Sequence, residues 1–139
     1  MKIQFIAGFG PVVRDKAASL RLYRDTLGIA FTEQEGTATN ALDGARYFSL
    51  WPLSEAAQSC FATNLWPEHI PAPQAWLEFD VESAQAVATA AEELTAKGYR
   101  LLVKARAEPW GQTVTRLLSP EGLLVGVTFT PWMHPTPAG

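Results

Sequence analysis

The sequence predicts an α+β fold in which two βαβββ modules, related by an internal repeat, pair and enclose a cleft. The order strand, helix and three strands occurs twice along the 139 residues. Gly28 and Gly98 each end a helix before a strand, while Asp43-Gly44 and Glu121-Gly122 each precede a final strand. Matching order and matching turns indicate a duplicated supersecondary unit. A strand-rich unit of this size exposes its sheet face when alone, so pairing two units buries that face.

The first module begins with a strand over Lys2–Phe9, which we expect Gly8, Gly10 and Pro11 to end. A helix follows over Asp15–Leu27, where apolar residues recur at helical spacing. Asp15 suits the N-cap of this helix, and Gly28 suits its C-cap. Three further strands complete the module: Ile29–Gln34, Thr37–Leu42 and Ala45–Trp51.

A proline-rich linker joins the modules, and it contains a candidate short helix near Ser54–Ser59. The second module repeats the order with an alanine-rich helix over Ser83–Lys97, capped by Glu82 or Ser83 at its start and Gly98 at its end. Its strands are predicted at Trp76–Val81, Tyr99–Ala105, Gln112–Leu118 and Leu123–Thr130. We therefore assign residues 1–52 to the first module, 53–73 to the linker, 74–132 to the second module and 133–139 to a tail.

The composition is that of a globular protein, with 47% hydrophobic and 18% charged residues. A net charge of −3 offers no electrostatic basis for binding nucleic acid, and no apolar stretch approaches the length of a membrane span. We expect a cytoplasmic location, because Met1-Lys2 leads directly into an alternating run without the apolar region of a signal peptide. The single cysteine, Cys60, has no neighbouring base in sequence and is interpreted as a small buried residue.

Alternation within the strands predicts which side chains line the cleft. Leu77, Phe79 and Val81 form one apolar set that suits packing against a helix, so Trp76, Glu78 and Asp80 point the other way. The corresponding sets on other strands mix small, aromatic and polar residues, which is typical of a ligand cleft. We assign ligand contacts to Tyr47, Ser49, Trp51, Trp76, Glu78, Trp110, Gln112 and Thr128.

Five tryptophans give this site its expected chemistry. Trp51 and Trp76, with Trp110 beside them, form the walls of a cavity for a flat or cationic ligand, and Glu78 is the charged partner. The alternative is that the tryptophans pack the modules together. Glu78 and Asp80 share a strand face, so a hard cation or acid-base chemistry are further alternatives, although a hydrogen-bonded carboxylate pair is the simpler interpretation.

The chain resembles the glyoxalase / bleomycin-resistance / extradiol-dioxygenase superfamily, also called the vicinal oxygen chelate proteins. The resemblance spans nearly the whole chain and is carried by Val12-Val13-Arg14-Asp15, by Leu22-Tyr23-Arg24-Asp25-Thr26-Leu27-Gly28, by Pro109-Trp110-Gly111 and by Ser119-Pro120-Glu121-Gly122. It implies a curled mixed sheet around a cleft, with the helices outside.

Enzymes of that superfamily hold a divalent metal with His, Glu or Gln on the concave strands. The matching positions here are Gly8, Trp76 and Gly126, with Ser49 at the additional position that glyoxalases use. None is a usable ligand for such a site. His69 and His134 lie in the linker and the tail, where solvated or structural roles are expected. We therefore expect no metal, no other cofactor and no catalytic residue.

The resulting expectation is a metal-free small-molecule binding protein of the glyoxalase/bleomycin-resistance type that sequesters an aromatic or cationic compound. The alternative is a glyoxalase-like lyase, isomerase or dioxygenase whose metal is held by unrecognised ligands. A third alternative is an accessory domain whose cleft Trp76 fills. The expected partners are a small organic molecule and a second copy of the chain, with Trp66 and Trp132 as anchors of a homodimer; nucleic acid and membrane are not expected.

Overall fold

A computed structural model describes residues 1–135 as an open, mixed eight-stranded sheet with three α-helices. The part of the predicted tail beyond residue 135 lies outside the described residues. The strands are β1 (Phe5–Val13), β2 (Ala38–Thr39), β3 (Phe48–Ser49), β4 (Trp51–Pro52), β5 (Ala75–Asp80), β6 (Val103–Ala107), β7 (Thr113–Leu118) and β8 (Leu124–Phe129). The helices are α1 (Lys16–Leu20), α2 (Leu53–Phe61) and α3 (Ala84–Ala96). These elements confirm the predicted α+β class.

The sheet runs in the order β2-β3-β1-β5-β8-β7-β6, and β4 also pairs with β1. Strands β1 and β5 are antiparallel neighbours at its centre, with Phe9 opposite Leu77 and Gly10 opposite Trp76. Strand β5 is parallel to β8, which is antiparallel to β7. The first strands of the two predicted modules therefore join the two halves into one sheet.

The prediction that glycine would end the first strand is wrong. Strand β1 continues through Gly8, Gly10 and Pro11 to Val13, because these glycines allow neighbouring groups to come close. A Cβ added at Gly10 would lie 1.9 Å from the carbonyl oxygen of Ser49, and one added at Gly8 would lie 2.8 Å from the indole of Trp76. Gly8 and Gly10 therefore lie inside the strand, where the absence of a side chain lets Trp76 and Ser49 pack against the backbone.

Helix α1 begins as predicted, since the side chain of Asp15 accepts a hydrogen bond from the Ala18 amide at 3.0 Å. It continues as a π-helical segment over Arg21–Thr26, and Gly28 follows in the left-handed region at φ +77°. Helix α3 is capped by Ser83, whose hydroxyl accepts from the Ala86 amide at 3.0 Å.

Several predicted strand boundaries are wrong. Of the predicted strand Ile29–Gln34, only Glu33 makes a bridge, to Ala38, because the chain turns at Gln34 and Glu35, both at positive φ. The strands predicted at Thr37–Leu42 and Ala45–Trp51 shrink to β2 and to the pair β3 and β4, which Leu50 separates. Strand β6 begins at Val103 and not at Tyr99, whose amide is still donating to the Leu94 carbonyl of α3 at 3.0 Å.

The two faces of the sheet carry different helices. On the outer face, Val81 and Val127 pack against Val87 and Ala90 of α3, while Phe48 and Leu50 pack against α1 and the segment that follows it. The opposite face, called the inner face below, carries Trp76, Glu78 and Asp80, as the alternation predicts. The linker helix α2 packs on this inner face, and no helix within residues 1–135 is long and apolar enough to cross a membrane.

Candidate functional site

Two carboxylates from β5 dominate the inner face, and both are buried. Glu78 is 7% exposed, and Asp80 is fully buried. The register places Gly8 of β1 and Gly126 of β8 on either side of Glu78. Because neither glycine has a side chain, the central row of the inner face has room for the long side chains of its neighbours.

The centre of the inner face is an ion pair between Glu78 and Arg116. Arg116 of β7 is 1% exposed, and its Nη1 donates to Oε2 of Glu78 at 2.8 Å. The second oxygen, Oε1, accepts a hydrogen bond from Nε2 of Gln112 at 2.9 Å. A Cβ added at Gly126 would lie 3.2 Å from both Arg116 and Glu78, so the glycine accommodates the pair. A buried carboxylate requires such partners, since an unpaired one is costly.

This arrangement corrects the expected role of Glu78. The sequence predicts Glu78 as the charged partner of a flat or cationic ligand, whereas in the structure the cation beside Glu78 is Arg116 of the same chain. Arg116 is absent from the predicted set of site residues. It could have been found from the strand pattern, because it lies four residues after Gln112 and therefore on the same face of the strand predicted over Gln112–Leu118.

Arg116 keeps one buried donor without a partner. Within residues 1–135, its Nε is the one buried side-chain nitrogen or oxygen that has no hydrogen-bond partner. The guanidinium lies over the ring of Trp51, with its Cζ 4.9 Å from the ring centroid. A buried N–H without an acceptor is rare in native proteins.

A second polar cluster surrounds Asp80. This carboxylate accepts hydrogen bonds from the Thr128 hydroxyl at 2.6 Å, from the Thr130 amide at 3.0 Å and from the Thr130 hydroxyl at 2.8 Å. Nε2 of His134 lies 2.5 Å from Oδ2 of Asp80, and the imidazole packs at tilted angles against the rings of Phe5 and Phe129. Gln112 links this cluster to Glu78, because its Nε2 also lies 2.8 Å from the Thr130 hydroxyl.

The aromatic residues divide into buried and accessible ones. Trp76 is 4% exposed, packs with Ala56 and Cys60 of α2, and donates from Nε1 to the Ser49 carbonyl at 3.1 Å. It is a core residue. Tyr47 and Trp51 are half-buried and flank it, with ring centroids 6.3 and 6.1 Å from that of Trp76. Burial raises the pKa of the Tyr47 hydroxyl, and the charges of Glu78 and Glu33 raise it further.

The remaining predicted site residues lie at the edge of the inner face or beneath it. Trp110 is 49% exposed and donates from Nε1 to Oε1 of Gln112 at 3.0 Å. Ser49 and Thr128 are buried, and Thr128 is committed to Asp80. The structure thus brings Glu78, Gln112 and Trp51 together around Arg116.

Helix α2 is fastened to the inner face by polar as well as apolar contacts. The Ser59 hydroxyl donates to Oε1 of the buried Glu108 at 2.8 Å, and Arg106 donates to the Ser59 carbonyl. Burial raises the pKa of the Cys60 thiol to about 11, against a smaller opposing effect of the Arg116 charge. A thiol with this pKa is protonated at neutral pH, and burial therefore disfavours the reactive thiolate of Cys60.

The inner face does not fit a catalytic metal ion. Among residues 1–135, no three His, Cys, Asp or Glu side chains converge. The positions that match the metal ligands of the resembled enzymes hold Gly8, Ser49, Trp76 and Gly126. Both oxygens of Glu78 are occupied by Arg116 and Gln112. A divalent ion needs several free donors directed at one point, and these side chains do not provide them.

A cavity also lies outside the inner face. A surface cavity of about 490 Å³ lies where the end of β1 meets α1, lined by residues that include Arg14, Leu22, Tyr23 and Gln74. None of the polar clusters described above faces this cavity. This cavity and the buried polar clusters of the inner face are therefore separate.

A family model described as Glyoxalase/Bleomycin resistance protein/Dioxygenase superfamily matches residues 6–127. No curated protein matches the chain. Among solved structures, the chain is similar to a variant of methylmalonyl-CoA epimerase from Streptomyces coelicolor in complex with 2-nitronate-propionyl-CoA (18% identity, 97% and 100% of the two chains covered, TM-score 0.56). It is also similar to a superfamily member from Vibrio splendidus 12B01 (16% identity, 93% and 100% covered, TM-score 0.54). A structure named NAD-dependent benzaldehyde dehydrogenase from Legionella pneumophila shares 16% identity, with 88% and 96% covered and a TM-score of 0.59. At these identities the likenesses show the fold alone.

Proposed function

The chain belongs to the glyoxalase/bleomycin resistance protein/dioxygenase superfamily, and we propose that within it the protein is a metal-free binding protein for a small aromatic molecule. The observation that carries this proposal is the Glu78–Arg116 pair at the centre of the inner face. In the enzymes that the chain resembles, side chains at this centre hold a metal ion. Here the carboxylate of Glu78 is paired with Arg116, and the accessible rings nearby are those of Tyr47 and Trp51.

The charge balance favours an aromatic ligand over a cationic one. Glu78 has both oxygens hydrogen-bonded within the protein, so it offers no free acceptor to an ammonium group. Tyr47 and Trp51 offer half-buried ring surface instead, and such rings stack against flat ligands at offset or tilted angles. A pocket of apolar walls with few polar groups is the usual form of a small-molecule site.

The proposal is tested by ligand binding and by metal content together. Tryptophan fluorescence during titration with a set of small aromatic compounds should change in the wild-type protein and not in Trp51→Ala. Trp132→Ala is the matched control, because Trp132 is 61% exposed and lies near Gly111. Elemental analysis after expression with zinc, manganese, nickel and iron available should find less than stoichiometric metal. One bound transition metal per chain would instead support the superfamily's enzymatic activities.

A second function is favoured by the position of α2. Because α2 and Trp76 occupy the inner face, the protein would act as an accessory domain whose cleft is filled by its own chain. Under this alternative, no aromatic compound would alter the fluorescence of Trp51. The same titration therefore separates the two functions.

A further inference from the structure

We propose that Arg116 Nε is the recognition point of the ligand, and that the ligand is a flat aromatic molecule carrying a neutral carbonyl oxygen. This inference rests on the proposed function and specifies its ligand. It starts from the unpartnered donor: Arg116 is 1% exposed, and its Nε has no acceptor among the described residues. A buried N–H that a ligand oxygen completes is satisfied only in the complex, which makes it a source of specificity.

The geometry around the donor fixes the aromatic part of the ligand. The guanidinium of Arg116 lies 4.9 Å from the ring centroid of Trp51, which is half-buried. The indole of Trp51 in turn meets Trp76 edge-on at 76°. In the proposed complex, the ring of the ligand contacts the accessible part of the Trp51 indole and an oxygen attached to that ring accepts from Nε of Arg116.

The charges around the donor determine which oxygen is preferred. The charge of Arg116 is already neutralised by Glu78 at 2.8 Å. A carboxylate ligand would place a second anion against the same guanidinium, and removing it from water would be poorly compensated. A neutral carbonyl accepts the same hydrogen bond with a smaller desolvation cost. An ammonium group has no acceptor here, since it would face the donors of Arg116.

Helix α2 covers part of the inner face on which Arg116 lies. This helix packs over Trp76 through Ala56 and Cys60, and it is followed by Ala62 in the left-handed region at φ +58°. A non-glycine residue in this region is uncommon and stores a small strain, which a change of backbone conformation at Ala62 would release. We therefore expect ligand binding to displace the end of α2 nearest Arg116.

Four probes of similar size test the inference: acetophenone, ethylbenzene, benzoate and benzylamine. Acetophenone and ethylbenzene differ in the carbonyl oxygen. In the wild-type protein, acetophenone should bind at least tenfold more tightly than ethylbenzene, which corresponds to about 1.4 kcal/mol. Benzoate and benzylamine should bind more weakly than acetophenone. In Arg116→Lys, which keeps a positive charge beside Glu78, the preference for acetophenone should disappear.

A second measurement does not depend on the variant folding. The Nε–H resonance of Arg116, observed by NMR in the wild-type protein, should shift on addition of acetophenone and not of ethylbenzene. If a probe binds but shows no carbonyl preference and leaves this resonance unmoved, the inference about Arg116 is wrong and the binding function stands. The same holds if benzylamine binds most tightly. If none of the probes binds, both the inference and the proposed aromatic-binding function are overturned.

Discussion

The sharpest prediction concerns the free energy of unfolding after one member of the Glu78–Arg116 pair is removed. Replacing Glu78 with Gln removes the negative charge and leaves the shape nearly unchanged. Arg116, 1% exposed, then carries an unpaired buried charge. At the 4 Å separation of charge centres in a hydrogen-bonded pair, the attraction is about 4 kcal/mol at an effective dielectric constant of about 20. Breaking one partner of a buried pair is therefore expected to cost about 3–5 kcal/mol.

The test is a double-mutant cycle followed by chemical denaturation. Glu78→Gln and Arg116→Met should each destabilise the fold strongly, whereas the double variant should cost much less than the sum, because removing both charges leaves no uncompensated ion. Asp25→Asn is the control: Arg24 and Asp25 pair at 2.7 Å but are about half exposed, so no measurable change is expected. Additive costs in the cycle, or an Asp25 effect as large as that of Glu78, would refute the argument that burial makes this pair important.

Close packing at Gly10, the buried thiol of Cys60 and the exposed Trp132 each lead to a further prediction. Gly10→Ala should destabilise the fold by about 2–3 kcal/mol, since its Cβ would lie 1.9 Å from the Ser49 carbonyl oxygen. Gly36→Ala is the control: Gly36 has φ +90° and no atom within 4 Å of an added Cβ, so this change should cost only about 1 kcal/mol. If thermal denaturation shows equal destabilisation by the two variants, the close approach of Ser49 to Gly10 does not limit the residue at position 10. Cys60 should react slowly with a thiol reagent at pH 8 until the protein unfolds, because its pKa is about 11 in the folded protein against 9.0 unperturbed. The contribution of Cys60 to the free energy of unfolding is therefore present below pH 9 and is lost as the pH rises towards 11, by up to about 2–3 kcal/mol. Cys60→Ala should abolish this dependence of stability on pH. The chain should also form a homodimer, with the 61% exposed Trp132 as an anchor. Trp66 is not included as an anchor because its ring packs against Phe61 of the same chain. Sedimentation at micromolar concentration that shows only a 15.2 kDa species would contradict the homodimer.

The order of elements and the faces of the strands could be read from the sequence because they depend on local rules. Asp15 and Ser83 cap their helices through their own side chains, so the starts of both helices were predictable. Alternation along β5 placed Trp76 and Glu78 opposite α3 for the same reason, since successive residues of a strand point to opposite faces. The second module, whose strands are five or six residues long, was predicted better than the first.

The end of β1 was not predictable by the same rules. Glycine and proline ordinarily end a strand, and Gly8, Gly10 and Pro11 continue one only because Ser49 and Trp76 approach from other elements. The prediction of the short strands in the first module failed for a related reason: β3 is held by β1 through the pairing of Phe48 with Phe9, which is distant in sequence, and β2 pairs only with β3.

The sequence by itself determined the fold class, the N-caps of the helices and the side of the sheet on which Glu78 lies. It also showed that the positions matching the metal ligands of the resembled enzymes hold no metal donors. Only the tertiary structure decided which group pairs with the carboxylate of Glu78. A buried carboxylate requires a partner, but sequence cannot say whether that partner is a ligand or another side chain, because the choice depends on which residues the pairing of β5, β7 and β8 brings together. Here it brings Arg116 within 2.8 Å of Glu78, across a glycine that leaves room for both, and it leaves the Nε of that arginine without an acceptor.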